Sequence, residues 1–330
     1  MEVAVKMAGR NAQQRYVIDD PSKVGEARRA AHTLANYELD AESAGRVAIA
    51  ATELANNLLL HAGGGELLLQ KLGGDDSPTI ELLAIDRGRG MLDVDRCMAD
   101  GYSTAGTPGT GLGSVRRLAS EFEIHSAHGA GTIIMARFGA VMPLRYGAVN
   151  VALAGEVLCG DAWEMAQGPQ GLALFMIDGL GHGAFAAEAA QTGVDSFRSA
   201  PFAEPQDILN RANASMSRTR GGAGACVRID GDKVVYSGIG NISAALVSAG
   251  KSTGLVSHNG TLGLHKRRAQ QFEYRREPGA VLVMHSDGVS ARLDLKNNPA
   301  LLARHPAIIA ASLYRDHGRE RDDATVVVVD

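Results

Sequence analysis

Residues 51–65 read ATELANNLLLHAGGG, and this run decides the first half of the chain. Alanine and leucine recur at helical spacing, and three glycines close the stretch. A helix ending at Ala62 and a turn after it are therefore expected. On that helix Glu53 and Asn57 are one turn apart and share a face. A carboxylate and an amide on one apolar helix suit a general base beside a Mg²⁺ ligand. The plain alternative is a polar pair on a solvated edge.

Working outward, residues 22–39 (SKVGEARRAAHTLANYEL) and 41–62 carry apolar residues at helical spacing. GGGELLLQKL (63–72) and TIELLAID (79–86) read as strands, SVRRLASEF (114–122) as a helix, and EFEIHSAHGAGTIIMARF (121–138) as a strand, a turn and a strand. The expectation is helices packed on one face of a mixed sheet. After a short junction at GAVMPLRYG (139–147) strand-like runs dominate, among them LALFMID (172–178), KVVYSGIG (233–240), AVLVMHSD (280–287) and ATVVVVD (324–330). Helical stretches at 184–199, 205–219 and 300–316 interrupt them. The second half thus reads as a layered α+β domain of mostly antiparallel strands. The expected division is residues 1–140 and 147–330.

The chain has 330 residues, 45% hydrophobic and 21% charged, which suits two globular domains. A net charge of -4 gives no global basic field for nucleic acid or an anionic membrane. Cys97, Cys159 and Cys226 are far apart and form no CxxC pair, so buried reduced thiols are expected rather than disulfides or a zinc site. The N-terminal MEVAVKMAGRNAQQRY lacks the apolar core of a signal peptide, and no run is long enough for a membrane helix. No membrane partner is expected, and the cytoplasm is the expected location.

Two further motifs follow the Glu53 helix. In AIDRGRGM (84–91) Asp86 ends an apolar strand, and Gly88 and Gly90 follow it. A carboxylate so placed can accept a hydrogen bond from an adenine amino group, and the glycines let backbone approach a ligand; a surface turn is the plain alternative. In TAGTPGTGLGSVRRL (104–118) Gly109, Gly111 and Gly113 precede a helix whose first amides can cradle phosphates. This is neither a Walker loop nor a GxGxxG fingerprint.

Together with Gly131–Thr132, these motifs resemble the N, G1 and G2 boxes of the GHKL ATPase superfamily. ELANNLLLHAGGGE, GYSTAGTPGTGLGSVRRL and EFEIHSAHGAGT are similar to the RsbT-type serine/threonine kinases, relatives of the anti-sigma-factor kinases. The resemblance implies a Bergerat α/β sandwich that binds ATP and Mg²⁺. It implies that Glu53 activates the acceptor hydroxyl, Asn57 holds Mg²⁺ and Asp86 reads adenine. Gly88, Gly90, Gly109, Gly111 and Gly113 would shape the pocket, and Thr132 would sit near the base. Arg89 stands where that family often has proline. A sensor histidine kinase would need an upstream helical hairpin, and His32 is the only histidine before Glu53.

The second half places aspartates at the ends of apolar runs: Asp161 in GEVLCGDAW, Asp178 with Gly179 in LALFMIDGLGHG, Asp287 in AVLVMHSDGVS, and Asp322 and Asp323 in RDDATVVVVD. Such oxygens suit hard divalent cations, and a pair of ions can clamp a phosphate. Asp230–Gly231 lies between two good strands and reads as a hairpin turn. His182 is a packing or helix-start residue, or a catalytic one. As a set, CGDAW, DGLGHG, SDGV and DDATVVVV resemble the SpoIIE/RsbX branch of the metal-dependent (PPM) serine/threonine phosphatases, with an α-β-β-α fold. That resemblance implies that Asp178 bridges two Mn²⁺ or Mg²⁺ ions with help from the Gly179 carbonyl. Asp161 would serve one ion and Asp287 and Asp322 the other, with Asp323 an alternative to Asp322.

The two resemblances together imply a bifunctional switch that phosphorylates and dephosphorylates STAS-domain proteins in stressosome or partner-switching signalling. A sigma factor or a PPM-type phosphatase is a further partner they allow. The alternative is a first domain that mainly captures a partner, leaving only the phosphatase catalytic. The sequence leaves the oligomeric state open, a dimer included.

Overall fold

The computed structural model describes residues 6–8, 13–74, 76–98, 111–264, 268–291 and 293–330. The chain divides into two compact units, Gln13–Leu144 and Arg145–Asp330, and Lys6–Ala8 groups with the second.

Strand β1 (Lys6–Ala8) comes first in the chain but pairs antiparallel with a strand of the second unit, Lys6 opposite Gln167. Nothing in so short a run announces a strand, and the sequence reading had placed it in the first domain.

The first unit holds β2 (Gln14–Ile18), helices α1 (Pro21–Glu38) and α2 (Ala41–Ala62), strands β3 (Gly65–Leu72) and β4 (Thr79–Ile85), helices α3 (Val94–Met98) and α4 (Gly111–Leu118), and strands β5 (Glu121–Ser126) and β6 (Thr132–Gly139). Both long helices start on an aspartate: Asp20 accepts from Ser22 N at 2.7 Å, and Asp40 accepts from Ser43 N at 2.8 Å. Those side chains satisfy amides that the helix cannot. Gly63, at φ 75°, ends α2 in the left-handed conformation, which glycine adopts without steric cost. Ala27, Ala31 and Ala35 of α1 and Ala44, Ala48, Ala51 and Ala55 of α2 are buried, so small side chains bring the two helices close. All of these but Ala48 share one core with Leu54, Leu58 and with Leu67, Leu69, Leu82 and Ala136 of the sheet.

The sheet runs β2-β3-β4-β6-β5, and every pair is antiparallel. The expected mixed sheet is corrected here. β5 and β6 form a hairpin around Gly129 and Gly131, and β3 and β4 join by a short turn, so no parallel crossover arises. Away from the helices, Gln70, Glu81, Arg137 and Glu121 are register neighbours across four strands. Gln70 Nε2 donates to Glu81 Oε1 at 2.6 Å, and Arg137 donates to Glu81 at 2.7 Å and to Glu121 at 3.0 Å.

The second unit adds β7 (Tyr146–Val151), β8 (Asp161–Gly168), β9 (Gly171–Gly179), α5 (Ala184–Arg198), α6 (Pro205–Ser215), β10 (Gly222–Asp230), β11 (Lys233–Ile239), β12 (Ser243–Ser248), β13 (Lys251–Gly254), β14 (Phe272–Arg275), β15 (Val281–His285), α7 (Pro299–Leu302), α8 (Pro306–His317) and β16 (Ala324–Val329). They form one sheet of order β1-β8-β9-β10-β11-β14 and another of order β13-β12-β15-β16-β7. Helices α5 and α6 pack on the first sheet, and α8 packs on the second. Phe175 of β9 stacks on Phe197 of α5 at 5.7 Å between centroids, in a core with Ile177, Val194 and Leu209. Tyr146 of β7 meets Trp163 of β8 edge-on at 6.0 Å, joining the two sheets. This is the α-β-β-α layering expected from the sequence. Asp230 and Lys233 close the β10–β11 hairpin with Gly231 at φ 59°, so Asp230–Gly231 is a turn.

Candidate functional sites

The first site is a cavity of about 630 Å³ within the first unit, lined by Glu53 and Asn57 of α2, Asp86 at the end of β4, Gly90, Gly111 and Thr132, among others. That volume lies in the range of small-molecule sites. Asp86 is fixed by two backbone donors: its Oδ1 accepts from Gly88 N at 2.8 Å and from Thr132 N at 3.1 Å. Gly90 and Gly131 have φ of 68° and 77°, and a Cβ on either would meet backbone oxygen at 2.1 Å and 2.2 Å. Only glycine therefore lets the two loops close behind Asp86. Thr132 is buried, with its hydroxyl 2.8 Å from that of Ser126, which also accepts from Met91 N.

At the other end of the cavity α4 begins at Gly111, and a Cβ there would lie 2.8 Å from Glu53 Oε2. The helix start is thus pressed against the carboxylate. Asn57 Nδ2 is buried with no hydrogen-bond partner among the described residues, an expensive condition for an amide that an incoming ligand can relieve. Gly113 is buried in α4, and Gly109 lies outside the described residues. The sequence reading missed His61, Met91, Leu112 and Arg96 as lining residues. They are polar or apolar side chains without a motif, gathered only by the fold. Arg89 also lines the cavity and, after burial, helps to lower the pKa of His61. Cys97 lines it too, but burial and Asp93 raise its thiol pKa, which makes it a poor nucleophile.

In the second unit Asp161 opens β8 and Asp178 stands directly opposite it near the end of β9. Burial, then the charges of Asp287, Asp322 and Asp323, push Asp178 up to about 7. Asp161 is raised well above the ordinary carboxylate range by burial and then by Asp178, against hydrogen bonds from Ser286 and Thr325, and its Oδ2 has no hydrogen-bond partner among the described residues. Asp287 follows β15 and is raised by burial and by Asp322, with Arg319 and an Asn241 amide hydrogen bond pulling the other way. Asp322 is half-buried, and its Oδ1 accepts from Asp323 N at 2.9 Å.

Asp323 differs from these. Its Oδ1 accepts from Leu153 N at 2.8 Å and its Oδ2 from Gly160 N at 2.9 Å. Both oxygens thus tie the loop before β8 to the start of β16. Gly160 fits because a Cβ would strike Asp323 Oδ2 at 2.7 Å, and a Cβ on Gly179 would strike the Ala186 carbonyl at 2.2 Å. Cys159 is buried, and burial followed by Asp161 and Asp323 raises its thiol pKa, so it is no nucleophile. His182 bonds Glu156 through Nδ1 at 2.6 Å at the protein surface.

Among the described residues no three His, Cys, Asp or Glu side chains converge into a closed metal cage. A hard cation that keeps several waters needs few protein oxygens at a time. Asp161 Oδ2 and the carboxyls that burial and neighbouring carboxylates raise fit such an ion, because a nearby divalent charge favours the ionised form that burial penalises. All three cysteines are free. Among the described residues no helix is long and apolar enough to cross a membrane.

A family model described as a histidine kinase-like ATPase domain matches residues 17–138, and one described as Stage II sporulation protein E (SpoIIE) matches residues 168–330. Serine/threonine-protein kinase RsbT of Bacillus subtilis (strain 168) is 38% identical over 91 residues, which is 28% of this chain and 68% of that protein. A solved structure described as "The bacterial stressosome: a modular system that has been adapted to control secondary messenger signaling" aligns at 26% identity with a TM-score of 0.53, covering 57% of this chain and 100% of the other. RsbX in complex with magnesium aligns at 20% identity with a TM-score of 0.49, over 64% of this chain and 100% of the other.

Fold and sites define a protein serine/threonine kinase domain of the GHKL type fused to a metal-dependent phosphatase domain of the SpoIIE/PPM type. Through its N-terminal unit the chain belongs to the family of the serine/threonine-protein kinase RsbT.

Proposed function

We propose that this chain is a cytoplasmic bifunctional switch, transferring the γ-phosphoryl group of ATP to Ser or Thr of STAS-domain regulators and hydrolysing the same or related phosphoproteins. One observation carries the reading: a single chain combines a cavity with Glu53 and Asp86 on its wall and, in its second unit, Asp161 facing Asp178 across two strands with burial raising both carboxyls.

In the forward reaction Glu53 accepts the hydroxyl proton of the substrate as its oxygen bonds to the γ-phosphorus, and ADP leaves. Asp86, aimed by its two amide donors, accepts from the adenine amino group, while Gly88 and Gly90 shape that wall and Thr132 lies close to the base. Gly109, Gly111 and Gly113 would place the phosphates, and Asn57 would hold Mg²⁺. Positioning and charge neutralisation supply most of the catalysis in such transfers.

In the reverse direction water adds to phosphorus, the Ser or Thr oxygen leaves with a proton, and inorganic phosphate is released. Asp178 and the Gly179 carbonyl, Asp161, Asp287 and Asp322 would hold two Mn²⁺ or Mg²⁺ ions, which polarise the phosphate and lower the pKa of bound water. Asp323 is a support for this set, because backbone amides already occupy both of its oxygens.

The deciding experiment incubates the full chain with labelled ATP, Mg²⁺ or Mn²⁺ and candidate STAS proteins, and maps phosphosites over time. Label should appear on Ser or Thr and then be released. Glu53→Ala should stop transfer, and Asp178→Asn should stop release while sparing transfer. Undiminished release by the Asp178 variant, or transfer that survives loss of Glu53, would sink the assignment.

A further inference from the structure

We infer that Ser286 and Thr325 are positioning residues for Asp161: their buried hydroxyls both donate to its carboxylate and leave Oδ2 for a divalent cation. This rests on the phosphatase reading above, in which Asp161 serves such an ion.

In the sequence the two residues are only the serine before Asp287 and the threonine two places after Asp323. The sheet brings them together. Ser286 follows β15, Thr325 lies in β16, and Asn150 of β7 is the register partner of Thr325. Ser286 N donates to the Thr325 carbonyl at 3.0 Å, and Thr325 N donates to Ser286 Oγ at 3.0 Å. Asn150 Nδ2 donates to Thr325 Oγ1 at 2.8 Å and to the Asp161 carbonyl at 3.3 Å. A carbonyl can only accept, so the Asn150 amide presents its nitrogen here. Ser286 and Thr325 are both 0% exposed, and Asn150 and Asp161 are buried with them. The Asp161 side chain takes hydrogen bonds from both hydroxyls.

The direction of each bond follows from the inventory of donors. A hydroxyl has one proton to give, and an ionised carboxylate has none. Thr325 Oγ1 already accepts from the Asn150 amide, and Ser286 Oγ already accepts from the Thr325 amide. Each O–H is therefore left to point at Asp161. Two oriented chains, Asn150 to Thr325 and Thr325 N to Ser286, converge on one carboxylate.

The carboxylate cannot rotate without giving up two donors, and it keeps Oδ2 without a partner among the described residues. Groups that hold a ligand's other lone pairs in this way fix its orientation toward a metal. A tie between the two sheets alone would not need the hydroxyls, because Asn150 of one sheet already holds the Asp161 backbone of the other.

The test titrates Mn²⁺ into the metal-free full chain by calorimetry, with the metal-free melting temperature of each variant measured alongside. Thr325→Val and Ser286→Ala should each weaken Mn²⁺ binding roughly ten- to hundred-fold. Thr325→Ser, which restores the hydroxyl, should stay within about three-fold of wild type. Ser286→Ala keeps the Asn150–Thr325 bond, so it carries the test if Thr325→Val does not fold. Asp161→Asn should weaken binding at least as much, and adding Thr325→Val or Ser286→Ala to it should cause little further loss, because the hydroxyls act through that carboxylate. A lowered melting temperature with Mn²⁺ affinity within two-fold of wild type in both hydroxyl variants would overturn the positioning role. So would losses that simply add to that of Asp161→Asn. Unchanged Mn²⁺ affinity in Asp161→Asn itself would refute the assignment of Asp161 to a cation, which is a failure of the reading beneath.

Discussion

Asp161 and Asp178 are register partners across β8 and β9, two carboxylates placed face to face at the buried end of a sheet. Such a pair is costly in the apo protein, since burial and like charge both disfavour ionisation. The site thus stores a demand for positive charge.

The first prediction concerns pH and metal removal. Asp178 is raised from 3.8 to about 7 in the folded chain, and Asp161 and Asp287 are raised as well. Between those values the folded state binds more protons than the unfolded state. These groups therefore stabilise the fold in mild acid, and that contribution is lost as pH rises through the folded pKa. In EDTA the melting temperature of the second unit should be several degrees lower at about pH 8 than at about pH 5, and Mg²⁺ or Mn²⁺ should raise it most at the higher pH. Scanning calorimetry reads this directly; a metal-free melting temperature that climbs with pH would contradict it.

Asp322 and Asp323 should separate cleanly. Asp323→Ala removes the acceptor of Leu153 N and Gly160 N and should cost about 1–3 kcal/mol for each amide left unsatisfied. Asp322→Ala removes the acceptor of one amide only, Asp323 N, so it should cost clearly less than Asp323→Ala while abolishing Mn²⁺-dependent phosphate release. Urea unfolding beside a release assay on each variant checks the pair. Equal destabilisation by both would show that the amide contacts do not distinguish them.

Gly111→Ala should silence the kinase without touching the phosphatase. The added methyl would lie 2.8 Å from Glu53 Oε2, so the carboxylate or the start of α4 must move. Displacing a general base by a fraction of an ångström should slow transfer by roughly ten-fold or more. Labelled phosphate transfer to a STAS protein, run beside phosphate release by the same variant, measures both. A transfer rate equal to wild type would mean that Glu53 has room to spare.

The sequence disclosed most of what is local. Alanine and leucine periodicity gave α1 and α2, apolar runs gave β9, β15 and β16, and the aspartates stood visibly at strand ends. It did not disclose pairing. That Asp161 faces Asp178 depends on a register between strands that only the sheet creates. The antiparallel order of the first sheet and the pairing of β1 with β8 are likewise long-range. Nor could adjacent Asp322 and Asp323 be ranked, because the difference lies in amides more than 160 positions away.

The last prediction uses the polar ladder in the first unit. Arg137 is 1% exposed and Glu81 0%, and their ion pair is flanked by Gln70 and Glu121. Removing the cation alone leaves a buried carboxylate with only an amide donor among these partners. Arg137→Met should therefore destabilise the first unit by about 3–5 kcal/mol, whereas replacing Glu81 and Arg137 together by Leu and Met should recover much of that loss. The logic is that desolvating both charges costs nearly as much as their attraction returns, so the penalty comes from orphaning one of them. Chemical denaturation of the two single variants and the double variant gives the coupling energy. If the double variant is as unstable as the sum of the singles, the ladder contributes through its geometry across the four strands rather than through its charges.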